Sequence, residues 1–84
     1  MKAKEMFKEL GFKRAEDDRS IRYFTANNMN FIIFWKDKQK TSVSHYRNIK
    51  YSDTLVFEEV QTVSQEINEI AATIKQMEEL GWTK

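Results

Sequence analysis

The chain has no cysteine, one histidine and two glycines in 84 residues. Without cysteine there is no disulfide and no thiol nucleophile. With His45 as the single histidine, a structural zinc site and a histidine relay both lack partners. Ser44 and His45 are neighbours in a strand-like stretch, so their side chains point to opposite faces and form no dyad. The glycines, Gly11 and Gly81, are seventy residues apart and make no phosphate loop. The longest apolar run, residues 31–35, is far below the roughly 20 residues that a membrane-spanning helix needs. A charged stretch follows Met1 where a signal peptide would be apolar. Glu66 and Glu69 share a helical face, but no Glu-x-x-His motif accompanies them, and Asp17-Asp18 reads as a turn. These absences predict a single soluble, cytoplasmic domain that is not an enzyme, with no cofactor, no metal and no membrane partner.

What the chain does have is a phrase said twice. Residues 6–12 read M-F-K-E-L-G-F and residues 77–82 read M-E-E-L-G-W. Glycine after an apolar-periodic run stops a helix, because it takes the left-handed conformation at little cost. A helix is therefore expected at each end, with the following aromatic folding back on its last turn. In the first, Ala3, Met6, Phe7 and Leu10 recur at i, i+3, i+4 and i+7.

Between the helices lie segments of strand character at residues 12–16, 20–26, 31–36 and 41–47. Asp17-Asp18-Arg19, Asn27-Asn28 and residues 36–40 read as the turns between them. Short turns imply an antiparallel meander. The third segment is apolar on both sides, with Phe31, Ile33 and Trp35 on one and Ile32 and Phe34 on the other, as befits an interior strand. Residues 48–54 have no clear pattern.

The strongest periodicity is Val56, Val60, Val63, Ile67, Ile70, Ile74 and Met77, spaced 4, 3, 4, 3, 4, 3. It predicts a helix beginning near Val56, capped by Ser52, Asp53 or Thr54, although residues 55–57 also suit a short fifth strand. To Leu80 that helix is roughly 37 Å long at 1.5 Å per residue. A four-stranded sheet is only about 15–20 Å wide. Two uses of the stripe remain open: packing on the protein's own sheet, or pairing two chains through Val56, Val60, Val63, Ile67, Ile70 and Ile74.

Charge is polarised. Residues 13–51 carry nine Lys/Arg against four Asp/Glu, while residues 52–84 carry two Lys against seven Asp/Glu. The basic middle interleaves Lys36, Lys38, Lys40, Arg47 and Lys50 with Trp35, Tyr46 and Tyr51. Cations among aromatics can hold nucleic acid; they are also the ordinary dress of a solvated sheet. No glycine-aromatic signature of an RNA-recognition motif is present.

Residues 3–13 (A-K-E-M-F-K-E-L-G-F-K), 21–24 (I-R-Y-F), 31–34 (F-I-I-F) and the closing M-E-E-L-G-W together resemble a group of small proteins from phages and prophages of Gram-positive bacteria. The chain departs from the group between Phe57 and Gly81, where its helix reads longer. The group carries no activity or catalytic residue to transfer. The resemblance implies a small accessory or regulatory protein acting by binding, with a host or phage protein as a possible target. The expectation is then an α+β domain over residues 1–84: a short helix, a four-stranded antiparallel meander and a long C-terminal helix on the sheet. Its core should hold Met6, Phe7, Leu10, Phe12, Ile21, Tyr23, Ile33, Trp35, Val63, Ile67, Ile70 and Ile74. Its expected role is a protein-interaction module that dimerises through the second helix. Nucleic-acid binding through Lys36, Lys38, Lys40, Tyr46, Arg47 and Lys50 is the alternative.

Overall fold

The computed structural model describes residues 1–26, 29–51, 54–59 and 65–82, with side chains at 1–26, 29–46 and 65–82. Helix α1 (Ala3–Glu9) leads into strands β1 (Phe12–Glu16), β2 (Ser20–Thr25), β3 (Asn30–Trp35), β4 (Lys40–Tyr51) and β5 (Thr54–Glu59), and helix α2 (Ile67–Glu79) follows. The strands form one antiparallel sheet in sequence order. The α+β architecture of helix, meander and helix is the expected one.

Both helix stops behave as their glycines require. Gly11 (φ 91°) and Gly81 (φ 75°) take the left-handed conformation. At the second, Gly81 N–H donates to Glu78 O and Trp82 N–H to Met77 O, both at 3.0 Å, which is the Schellman pattern. It turns Trp82 onto the core, 6.2 Å from the Phe34 ring. After the first, Phe12 meets Phe7 edge-on at 5.6 Å.

α1 has no side-chain cap of its own. Its Ala3 N–H donates instead to Glu79 Oε2 at 2.7 Å, from the last turn of α2. A carboxylate at a helix N-terminus satisfies an orphan donor and suits the helix dipole. The two ends of the chain are thereby joined.

Direct cross-strand partners share a face, so the register decides what is core. Ile21 pairs with Phe34 and Tyr23 with Ile32. The covered face thus carries Phe12, Ile21, Tyr23, Ile32 and Phe34, all buried together with Phe7 and Ala72 from the helices. This corrects the expected face of β3. Ile33 and Trp35 belong with Phe31 on the opposite face, where all three are half-buried. Alternation along β3 is the same either way; the pairing across the β2–β3 hairpin chooses, and it sets Ile32 and Phe34 beside the β2 residues that face the helices.

The second helix also departs from expectation. It begins at Ile67, with thirteen residues and a length of about 20 Å. Glu66 is its cap, in a reciprocal box with Glu69. Thr54 and Val56 are in β5, where residues 55–57 take the strand alternative; Ser52, Asp53, Val60 and Val63 lie outside the described residues. Within α2 the buried residues are Ala72, Thr73 and Gln76. Ile67, Ile70 and Ile74 are not core: they are 81%, 42% and 46% exposed. At 3.6 residues per turn they fall on the side roughly opposite Ala72. The cause is space. Phe7, Tyr23 and Phe34 already fill the layer above the sheet, so α2 approaches with its small residues. Met77, on the boundary of the two sides, packs against the core edge with Met6, Leu10, Leu80 and Trp82.

Tyr23 joins the layers. Its ring is 1% exposed and stacks on Phe7 at 3.9 Å. Its hydroxyl donates to Gln76 Oε1 at 2.5 Å and accepts from Arg14 Nε at 3.3 Å. Gln76 is 4% exposed, so its carbonyl has no ready access to water. Replacing Tyr23 with Phe keeps the stacking and leaves that acceptor unpaired. The expected loss is about 1–3 kcal/mol, read from urea unfolding midpoints at constant m. The double change Tyr23→Phe with Gln76→Leu should recover part of it, because both polar partners are then gone.

Candidate interaction surfaces

Both helices sit on one face of the sheet, and no described residue packs over the other. The pairing registers place twelve positions with described side chains on this open face: Lys13 and Ala15 from β1, Ser20, Arg22 and Phe24 from β2, Phe31, Ile33 and Trp35 from β3, and Lys40, Ser42, Ser44 and Tyr46 from β4. Of these twelve, three are cations, four are aromatic and none is a carboxylate; Glu59 of β5 is level with Tyr46. Phe24 and Phe31 are stacked at 6.3 Å with 27° between their planes, and Phe31 meets Tyr46 edge-on at 5.7 Å. Trp35 Nε1–H donates to Ser42 Oγ at 3.1 Å, which fixes the indole. Ser20 is the one buried residue of the set.

The cations named from the sequence do not form one patch. Lys36 Nζ donates to Glu16 Oε2 at 2.6 Å and to Asp17 O at 2.9 Å, so it ties the β3 end to the β1–β2 turn. Lys38 and Lys40 are exposed at the β3–β4 turn. Arg47 and Lys50 are in β4, with side chains outside the described residues. Tyr46 is half-buried against Phe31. Of this set, Lys40 and Tyr46 share the open face with described side chains, and Lys50 has their parity in β4. Lys13 and Arg22, which the sequence reading passed over, join them there because of register. Arg22 keeps one loose neighbour, Asp17 Oδ2 at 3.8 Å.

The second exposed surface is the outer side of α2, where Ile67, Ile70 and Ile74 repeat at i, i+3 and i+7. It is the remnant of the long stripe, and it points away from the sheet.

His45 lies on the covered face. It lines a cavity of about 350 Å³ with Leu10, Phe12, Thr25, Asn30, Glu66 and Glu69. The two carboxylates there already serve the α2 cap. No cluster of metal-ligating side chains occurs among the described residues, nor is any described helix long and apolar enough to cross a membrane.

Two of the described carboxyls are held below their ordinary range. Lys36 and then Arg14 hold the Glu16 carboxyl below its ordinary range through hydrogen bonds. The backbone N–H groups of Arg19 and Ser20 do the same for Asp17, each donating to its Oδ1 at 2.8 Å. A group whose folded pKa is depressed stabilises the fold above its ordinary value, about 4 for a carboxyl, and loses that contribution as pH falls through the folded value. Glu16 is 39% exposed, so its pair with Lys36 counts as a surface ion pair. Lys36→Met is expected to cost up to about 1 kcal/mol at neutral pH. That difference from the wild type should close as pH falls below the ordinary carboxyl value and through the depressed one, measured as urea midpoints across the acid range.

Compared with protein families, with curated proteins and with solved structures, the chain shows no match.

Proposed function

We propose that the protein is a non-enzymatic interaction module that forms a homodimer through the outer side of α2. The observation that carries this reading is the exposure of Ile67, Ile70 and Ile74 in one row on a helix held firmly by its other side. Three large aliphatic residues in line are an expensive surface to leave in water, and a two-fold axis lets the same row cover itself.

The magnitude points to a modest association. Burying six isoleucines across the axis yields about 1.5–3 kcal/mol each at most. Against that stand about 4–15 kcal/mol of lost translational and rotational freedom. The two ranges overlap, and Ile70 and Ile74 are already more than half covered, so a dimer held by this row alone is weak. A second contribution is available from the β4–β5 ribbon. Residues 40–45 of β4 pair with β3, and residues 46–51 pair with β5, so the ribbon runs past the end of β3. Two paired strands alone are marginal in water and gain from lying against another surface.

The setting proposed with it is that of a cytoplasmic accessory or regulatory protein of a phage or prophage, with a host or phage protein as the further partner. The sequence resemblance supports the setting, and the row on α2 suits a partner helix as well as a second copy.

Because Ile67 is 81% exposed, its replacement tests the interface without touching the core. Ile67→Glu should change folding stability by no more than about 0.5 kcal/mol. It should convert a wild-type species of twice the 10.1 kDa chain mass into a monomer, read by size-exclusion chromatography with light scattering. A wild type that stays monomeric at high concentration, or a dimer indifferent to Ile67→Glu and Ile70→Glu, would overturn the proposal.

A further inference from the structure

The open face has a composition that the proposed dimer does not use. Its cations occupy three different cross-strand rows. Lys13 shares its row with Phe24 and Phe31, Arg22 is level with Ile33, and Lys40 is level with Trp35. They therefore run diagonally across the sheet from β1 to β4. With strands about 4.8 Å apart and residues about 3.4 Å apart along them, the steps are roughly 8 Å and 12 Å between Cα atoms. Phe24, Phe31 and Tyr46 lie together on one side of that diagonal.

We infer that this face binds single-stranded nucleic acid, with the sugar-phosphate backbone along Lys13, Arg22 and Lys40 and bases on the rings of Phe24, Phe31 and Tyr46. Charge complementarity selects a polyanion: all three charges among these twelve positions are positive, with Asp17 beside Arg22 at one edge and Glu59 of β5 level with Tyr46 at the other. The apolar part selects the kind. Among the twelve positions it is built of flat rings, with Ile33 the single large aliphatic side chain. An acidic peptide would meet the charges and leave the rings without a matching surface. Unpaired bases meet both, since every base has a face to stack. Paired bases would keep theirs inside the duplex. Stacking and phosphate pairing are both indifferent to base identity, so the binding is expected to tolerate sequence.

The test is fluorescence anisotropy of end-labelled oligothymidylate and oligouridylate of about 15 nucleotides, with the full-length protein. Three phosphate contacts on a single strand give a slope of about −2 in log affinity against log salt. The affinity should then fall about 20-fold between about 50 mM and 200 mM salt. Lys13→Ala with Arg22→Ala leaves one contact, so the same salt change should cost only about threefold. Phe31→Leu, checked for retained folding by circular dichroism, should weaken binding about tenfold at either salt. No anisotropy change at low salt would overturn the inference. So would a salt slope that ignores the double variant. So would a wild-type dimer that Ile33→Glu dissociates, because a second copy would then be the occupant of this face.

Discussion

The fold depends on one buried contact set, that of Tyr23. It stands in the middle of β2, stacks on Phe7 of α1 and donates to Gln76 of α2. Phe7 extends the set to Phe12 and Phe34 of the sheet, both edge-on. Burying a ring such as Phe7 contributes about 1.5–3 kcal/mol, and a well-placed aromatic pair about 0.5–1.5 more. The exposed pairs Arg14–Glu16 and Lys36–Glu16 contribute about 0–1 kcal/mol each. The rings hold the layers together, and the ion pairs set the orientation of the β1–β2 turn. Burial raises the Tyr23 hydroxyl above its ordinary pKa against the pull of Arg14, so the neutral form that donates to Gln76 persists well above neutral pH.

The same crowding explains how α2 is turned. A layer filled by Phe7, Tyr23 and Phe34 admits only a shallow helix face, and Ala72, Thr73 and Gln76 are the residues that supply it. Once those face inwards, Ile67, Ile70 and Ile74 must face outwards, because the helix has a fixed pitch. The exposed row is therefore a consequence of the aromatic core. The C-terminal Schellman turn adds to it by drawing Trp82 onto Phe34, which fixes the helix rotation from its far end.

The parts legible in the sequence were those specified locally. Gly11 and Gly81 marked helix stops because few other residues accept their backbone angles. The Asp17 turn was legible because its carboxylate bonds the backbone two and three positions on. What was not legible depended on partners distant in sequence. Which side of β3 is core turns on its register with β2, and alternation alone is symmetric between the two. The heptad stripe from Val56 to Met77 gave a false continuity: its first member belongs to a strand, and the capping box at Glu66 starts the helix anew. The box could have been read as Glu followed three positions later by Glu, but glutamate is a weak prior for a cap against Ser, Thr, Asp or Asn. The open face was half-legible. Tyr46 and Lys40 were found by composition, whereas Lys13 and Arg22 come from segments distant in sequence and meet them only through pairing.

The charge polarity acquires a physical sense in this geometry. Part of the basic middle is internal: Lys36 and Arg14 both serve Glu16. Another part is collected by register on the open face. Of the acidic C-terminal third, Glu66 and Glu69 close the α2 cap and Glu79 caps α1. The helix layer separates the two remaining surfaces, with the isoleucine row on its outside and the cationic aromatic face on the far side of the sheet. Occupying one does not obstruct the other. A dimer made through α2 would carry its two sheet faces pointing away from each other. A single strand long enough to reach both would then be held by two weak sites at once, and the effective concentration at the second would raise the avidity without any new contact.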